Sequence, residues 1–253
     1  MNNSVFGQTM ENIRRRIDVK LVRSTEEEKL RKLIAKPSFN RSVMFDDNLA
    51  GIHMNKSKLR LDRPTYVGMS ILDLSKNLMY DWYYNHLKNT YGNRVQMLYT
   101  DTDSLIVHIK TDDIYADMAQ HADQYDTSNY PADHFLHSTA NKKVLGKMKD
   151  ECAGTPIAEF VGLKPKMYSI LKADGGQERR SKGVKKSVVK KYILHEQYKA
   201  ALFDQKMLRY GMNVLRSQKH RIYGQHVTKI SLSPLDTKHW ICADGINTLG
   251  IWA

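Results

Sequence analysis

Acidic residues are in short supply in this chain. It sets 27 aspartates and glutamates against 40 lysines and arginines, for a formal net charge of +13. An excess of that size favours a polyanionic partner, because each neutralised phosphate releases condensed counterions. A basic surface that merely keeps the chain in solution is the competing reading. Cysteine is scarcer still: Cys152 and Cys242 stand 90 positions apart. That spacing excludes a disulfide framework and a cysteine zinc site, and makes a reducing, intracellular compartment the default expectation. No apolar run approaches the ~18 residues of a membrane helix. The first sixteen residues, MNNSVFGQTMENIRRR, hold no signal-peptide apolar stretch. No internal repeat is visible.

What is present suffices for a core. Hydrophobic residues make up 41% of 253 residues, a globular rather than a disordered composition, enough for one large domain or two small ones. The charge is uneven. Residues 101–133 carry eight acids and one base, Lys110, for a local net of −7. Residues 164–191 carry ten bases against Asp174 and Glu178, for +8. An acidic centre beside a basic wall suits a protein that holds both metal ions and phosphates.

Periodicity predicts helices over 4–16, 67–87, 112–125 and 195–208, and a charged helix or loop over 18–36. In the second of these, Val67, Ile71, Leu74, Leu78 and Trp82 form an apolar stripe read as core. That helix is expected to end at Gly92, which can take a left-handed cap. Short strands are expected at 49–54, 58–61, 158–161, 167–171 and 184–189, with Asp174-Gly175-Gly176 as the turn between the last two. Strands 95–99 and 105–109 alternate apolar and polar residues and enclose a tight acidic turn, the pattern of a β-hairpin with carboxylates at its tip. Mixed helices and antiparallel strands predict an α+β fold rather than βαβ winding.

The tip reads Tyr99-Thr100-Asp101-Thr102-Asp103-Ser104. Two carboxylates two residues apart offer hard oxygen ligands of the kind that suits Mg²⁺. Two such ions about 3.5–4 Å apart stabilise the attacking and leaving oxygens of a phosphoryl displacement. Asp-x-Asp alone is weak, since turns and sugar-nucleotide transferases use it too. Its frame of two alternating strands adds weight. A reverse transcriptase would place two adjacent aspartates after the tyrosine, where this chain has Thr102 between them.

These residues resemble motif C of the family B DNA polymerases, Tyr-x-Asp-Thr-Asp-Ser. Upstream, Asn3-Ser4-Val5-Phe6-Gly7 is similar to the end of motif B, with Phe6 in place of tyrosine. Downstream, Lys166-Met167-Tyr168 resembles the Lys-x-Tyr motif, and Lys182-Gly183-Val184 the segment leading toward the thumb. Their order and separation are more specific than any one match, and the resemblance spans essentially the whole chain. The stretches TMEN, IKTDDIY, DTSNY, GLKPKMYS and DGINTL further resemble the protein-primed branch, most of all the polymerases of Polinton (Maverick) transposons, kin to adenoviral and linear-plasmid enzymes.

The resemblance implies a partial right-hand palm, an antiparallel sheet packed with helices, and the start of a thumb. It implies the end of a fingers helix and a connection over 1–36, palm over 37–194, and thumb over 195–253. Asp103 would ligate the catalytic ions, two Mg²⁺ for which Mn²⁺ can substitute, with Asp101 beside it. Tyr99 and Thr102 would shape the turn, and Ser104 would support it. Asn3, Phe6 and Gly7 would line the pocket of the incoming deoxynucleoside triphosphate. Lys166 and Tyr168, with Lys182 and Gly183, would grip primer-template DNA. A terminal priming protein is a further implied partner, and a nuclear location follows if the parent is a eukaryotic transposon. Plain readings stand beside these: Phe6 as helix core, Tyr168 as a surface strand residue, and Lys182, Lys185, Lys186, Lys190 and Lys191 as a solvated face.

The sequence holds no Asp-x-x-Ser-Leu-Tyr-Pro, the motif A that supplies a further metal carboxylate. Asp73-Leu74-Ser75 lies between motifs B and C, on the helix read as core, and is a decoy. The motif B lysine would fall two places before Met1. The expectation is therefore a truncated polymerase, weak or inactive alone. A remnant that binds duplex DNA without catalysis is the alternative, and a sugar-nucleotide transferase is a more distant one.

Overall fold

The computed structural model describes residues 2–236, 239–245 and 247–250. Helix α1 (Asn2–Thr9) leads through a 3₁₀ turn (Ile13–Arg15) to β1 (Asp18–Arg23), α2 (Glu27–Ile34), β2 (Phe39–Asp46), β3 (Leu49–Met54) and the long α3 (Thr65–Asp81). A π-helical stretch, Trp82–Leu87, joins α3 to α4 (Lys88–Tyr91). There follow β4 (Val95–Asp101), β5 (Ser104–Ile109), α5 (Ile114–Gln120), β6 (Tyr125–Asp126), β7 (Met148–Lys149), β8 (Ile157–Lys164), β9 (Met167–Lys172) and β10 (Gln177–Ser181). The described chain closes with α6 (Lys186–Tyr192), α7 (His195–Phe203), β11 (Leu208–Gln218), β12 (Arg221–Leu232), β13 (His239–Ile241) and β14 (Thr248–Gly250). The fold is mixed α+β with several small antiparallel sheets, 30% helix and 35% strand. No described helix is long and apolar enough to cross a membrane.

The chain forms two compact units. One comprises 1–75 with 213–226, and the other 76–212 with 227–253. In the first, β3 lies between β1 and β2, antiparallel to both. Its Ala50, Ile52 and Met54 bury with Val22 under Leu30, Leu33 and Phe39. Helix α2 forms from a highly charged stretch because its charges complement the helix. Glu27 and Glu28 sit in the first turn, Arg31 and Lys32 in the last, and the pairs Glu27–Arg31 and Glu28–Lys32 close at 2.6 Å each.

In the second unit, the antiparallel hairpin β4–β5 stands on Tyr83, Leu87, Tyr91 and Val95, with Leu105, Val107 and Ile109 packed against them. Gly92, at φ 58°, ends the helix before it. Asp117 of α5 ties the hairpin's base, accepting from Tyr91 Oη at 2.9 Å and Thr111 Oγ1 at 2.7 Å. Strand β9 lies between β8 and β10. A core of Val161, Met167, Val189, Ile193, Tyr198, Ala201 and Leu232 joins that sheet to α6 and α7.

Several expectations from periodicity fail locally. The helix expected over 4–16 stops at Thr9, because Asn12 caps a separate 3₁₀ turn by accepting from the Arg14 amide. The stretch 18–36 begins with strand β1, which pairs with β3. Residues 58–61 form no strand, whereas 39–46 do. The stripe on α3 is shifted. Leu74 and Leu78 are exposed, and the buried line runs through Met79, Tyr83 and Leu87. The helix expected over 112–125 spans Ile114–Gln120, fixed by Asp113 at its N-cap. The strand expected at 184–189 is helix α6, because Val188, Val189 and Ile193 bury on one helical face. The turn at Asp174-Gly175-Gly176 leads instead into β10, a charged edge strand. Helix α7 ends at Phe203, and the paired strands β11 and β12 follow. Ile246 in the DGINTL segment lies outside the described residues, as do Met1 and residues 237, 238 and 251–253.

Candidate metal and nucleic-acid site

Strand β4 runs into Asp101, which pairs across the hairpin with Ser104, leaving Thr102 and Asp103 as the tip. The turn is very tight. The Asp103 amide donates to the Asp101 carbonyl at 2.7 Å, and Thr102 sits at φ 57°. A γ-turn with positive central φ is rare, and a β-branched residue there is a conformational outlier. Ser104 Oγ donates to the Asp101 carbonyl at 3.2 Å, and Thr102 Oγ1 to Asp101 Oδ1 at 3.3 Å. Strain of this kind concentrates where a side chain must be aimed. Asp101 is half-buried and Asp103 exposed.

The turn between β8 and β9 meets this hairpin. Lys166, at φ 61°, places its amide 3.0 Å from Tyr99 Oη, to which it donates. Its ammonium Nζ stands 3.0 Å from Asp101 Oδ2. The Asp101 carboxylate raises the Lys166 pKa by hydrogen bond and charge, and Asp103 adds a smaller attraction. Both aspartates therefore act on one cation. Aromatic packing fixes the junction: the ring of Tyr99 lies 4.8 Å from that of Tyr168 and 6.2 Å from that of Phe160.

Strand parity arranges the rest. In the β9–β10 ladder Tyr168 pairs with Arg180 and Met167 with Ser181, and the Lys182 amide donates to the Lys166 carbonyl at 3.1 Å. Successive side chains alternate between faces. Met167, Ser169 and Ser181 turn into the core. Lys166, Tyr168, Arg180 and Lys182 take the other face. With Asp101 and Ser181 they line a cavity of about 260 Å³. Gly183, at φ 88°, breaks the strand beyond Lys182 and lets the chain turn toward α6. Lys185 caps α6, while Lys186, Lys190 and Lys191 lie on it, so strand alternation does not align them.

The structure thus brings Asp101, Lys166, Tyr168 and Lys182 to one cavity, with Asp103 at the adjoining tip. Asn3, Phe6 and Gly7 lie on α1 in the other unit. Phe6 is half-buried there, and Gly7 is exposed with open space where a Cβ would be. Sequence reasoning missed Arg180, whose signal was its parity with Lys182. It also missed the Lys166–Asp101 pair.

The donors present fit Mg²⁺ in kind: two hard carboxylates, with phosphate oxygens able to complete the set. Among the described residues no group of three or more histidines, cysteines or acids gathers as a metal site. A cation on Asp101 would compete with Lys166.

A second constellation invites a different reading. Ser169 Oγ lies 2.8 Å from His195 Nδ1, and His195 Nε2 lies 3.1 Å from Glu159 Oε2. These residue types form hydrolytic triads. Ser169 has no exposed surface and His195 only 1%, so no substrate reaches the hydroxyl. Lys199 closes on Glu159 at 3.0 Å, and the chain of contacts ties β8, β9 and α7 together. Comparison with protein-family models, curated proteins and solved structures finds no match to this chain.

Proposed function

We propose that this chain is the palm portion of a family B DNA polymerase of the protein-primed branch, with part of its thumb, serving template-directed nucleotide addition to a primer 3′-hydroxyl. One observation carries the reading. Residues of motif C and of the Lys-x-Tyr segment, more than 60 positions apart, share one cavity through the Lys166–Asp101 pair. Asp101 and Asp103 would hold the ions. Bound there, Mg²⁺ would supply acidity at the 3′-hydroxyl and charge stabilisation at the departing phosphate.

The chain's own side chains supply the grip. Lys166, Lys182 and Arg180 present three cations on one face of the β9–β10 pair to the primer-template backbone. Such contacts position a duplex without reading its sequence. Tyr168, its ring packed at a tilt against that of Tyr99, lies beside them. Arrival of a phosphate on Lys166 draws its ammonium off Asp101 and leaves that carboxylate open to a cation, which couples DNA binding to metal binding.

The ion pair also favours a second reading, a duplex-binding remnant in which Lys166 permanently neutralises Asp101. Motif A is not among the 253 residues, so extension by this chain alone is expected to be weak under either reading. Primer extension with Mg²⁺ and with Mn²⁺ separates the two. Extension that Asp103→Ala abolishes supports the polymerase. Duplex binding without any extension, even at high protein and metal, supports the remnant. Absence of duplex binding sinks both.

A further inference from the structure

The first unit holds a larger cavity, of about 550 Å³, that the hairpin site does not involve. Its walls carry Arg16, Lys20, Lys36, Lys56, Lys58 and Arg60 against only two acids, Asp18 and Asp62. Three of the cations are engaged: Arg16 with Glu11, Lys20 with Asp18 at 3.1 Å, and Arg60 with Asp62 at 3.2 Å. Lys36, Lys56 and Lys58 have no carboxylate partner among the described residues and are exposed.

One wall is a built strap. Residues 55–63 contain no helix or strand, yet both ends are fastened. At one end the Asn55 amide donates to the Ser38 carbonyl at 2.6 Å, and Asn40 Nδ2 to Asn55 Oδ1 at 2.9 Å. At the other, Arg63 pairs with Glu11 at 2.8 Å. Glu11 also takes a bond from Arg16 at 2.6 Å, and these two guanidiniums, Arg16 foremost, hold its carboxyl down at about 2. Between the fastenings the cations recur at every second residue, Lys56, Lys58 and Arg60. The chain bends at Ser57, between the first two of them.

We propose that this cleft binds the phosphodiester backbone of a single-stranded nucleic acid. Its volume is that of a small-ligand pocket, roughly 300–1,000 Å³, room for a short run of one backbone and not for a duplex. The lining holds no aromatic ring, so no base stacks there and binding is independent of base identity. Apolar Ile13, Leu33, Met54 and Leu59 also line it. The assignment does not rest on the polymerase reading, since Asp101, Asp103 and Lys166 take no part in it.

The test measures binding of an oligothymidylate and of a hairpin duplex across a salt series, in the Lys166→Ala background and in the unaltered chain. Replacing Lys36, Lys56 and Lys58 together by alanine is expected to lower single-strand affinity at least tenfold at low salt. It should also shrink the log–log salt slope by about 2, at ~0.7 per phosphate. Duplex affinity of the otherwise unaltered chain should stay within about twofold, by the same counterion reckoning. Arginine at all three positions should retain single-strand binding, which separates charge from any loss of fold. Unchanged single-strand affinity in the alanine variant overturns the proposal, as does an equal loss for both nucleic acids. Displacement of the oligonucleotide by tripolyphosphate at equal phosphate concentration also overturns it, in favour of a small-polyphosphate site.

Discussion

Lys166 Nζ and Asp101 Oδ2 meet at 3.0 Å although 65 positions separate them in the chain, and the pair sets basic grip against acidic tip. Removing the ammonium should divide the two proposed functions. Lys166→Met is expected to weaken duplex binding several-fold and to reduce the salt slope by about 0.9, the value for one phosphate contact on duplex DNA. The same change should strengthen Mn²⁺ binding, read by electron paramagnetic resonance, because Asp101 loses its competitor. A fall in Mn²⁺ affinity would mean that Lys166 organises the carboxylates rather than competing for them.

Thr102 takes a backbone conformation that disfavours branched side chains. Glycine there relieves roughly 1–2 kcal/mol of left-handed strain and loses some of that gain to unfolded-chain entropy. Thr102→Gly should therefore leave the denaturation midpoint unchanged or slightly higher. If the tight turn aims the aspartates, Mn²⁺ affinity should fall in the same variant. A variant with lower stability and unaltered metal binding would show the turn to be a plain connector.

The hairpin was legible because strand alternation, an acidic two-residue gap and Gly92 all point to it. The charged segments were not. In β10, Gln177–Ser181, the side chains are mostly polar, and the strand exists because β9 offers a free edge, a tertiary cause with no local signal. Val184, Val188 and Val189 favour a strand by propensity. Burial of Val188, and of Val189 in the core with Ile193, overrides it. In β11, Leu208, Tyr210, Met212 and Val214 alternate with polar or small residues, but β12 sets Ile222 beside Tyr223 and breaks the period, and both strands are mostly exposed, so there is little hydrophobic contrast to read. At the site, Lys166 and Tyr168 could be named from a motif. Arg180 became visible only once β9 and β10 were in register.

The buried Ser169–His195–Glu159 chain should act in stability alone. His195→Ala leaves the Ser169 hydroxyl without its partner and opens a cavity beneath α7. The expected loss is about 2–4 kcal/mol, from an unsatisfied buried polar group together with lost packing. Ser169→Ala should cost less, on the order of 1 kcal/mol, because His195 keeps Glu159. Urea denaturation measures both. Ester hydrolysis by the unaltered chain that Ser169→Ala removes would contradict a purely structural role.

Two imidazoles should make the fold acid-sensitive. Burial first, then Arg41 and His220, lowers the pKa of His53, and burial followed by His121 lowers that of His86. Nδ1 of His53 and Nε2 of His220 are sealed without hydrogen-bond partners, and their rings lie 5.3 Å apart, so a proton gained there meets a second imidazole and no acceptor. In the unfolded chain both histidines titrate near the ordinary value of about 6.5. Below that pH the unfolded state binds more protons than the folded one, so stability falls as pH drops. Their contribution is complete above about 6.5 and disappears as pH falls toward the depressed folded values. The urea midpoint should hold steady from pH 8 to 7 and decline toward pH 5. His53→Gln and His86→Gln should each flatten that decline, and a midpoint that rises on acidification would refute the assignment of both rings as neutral in the fold.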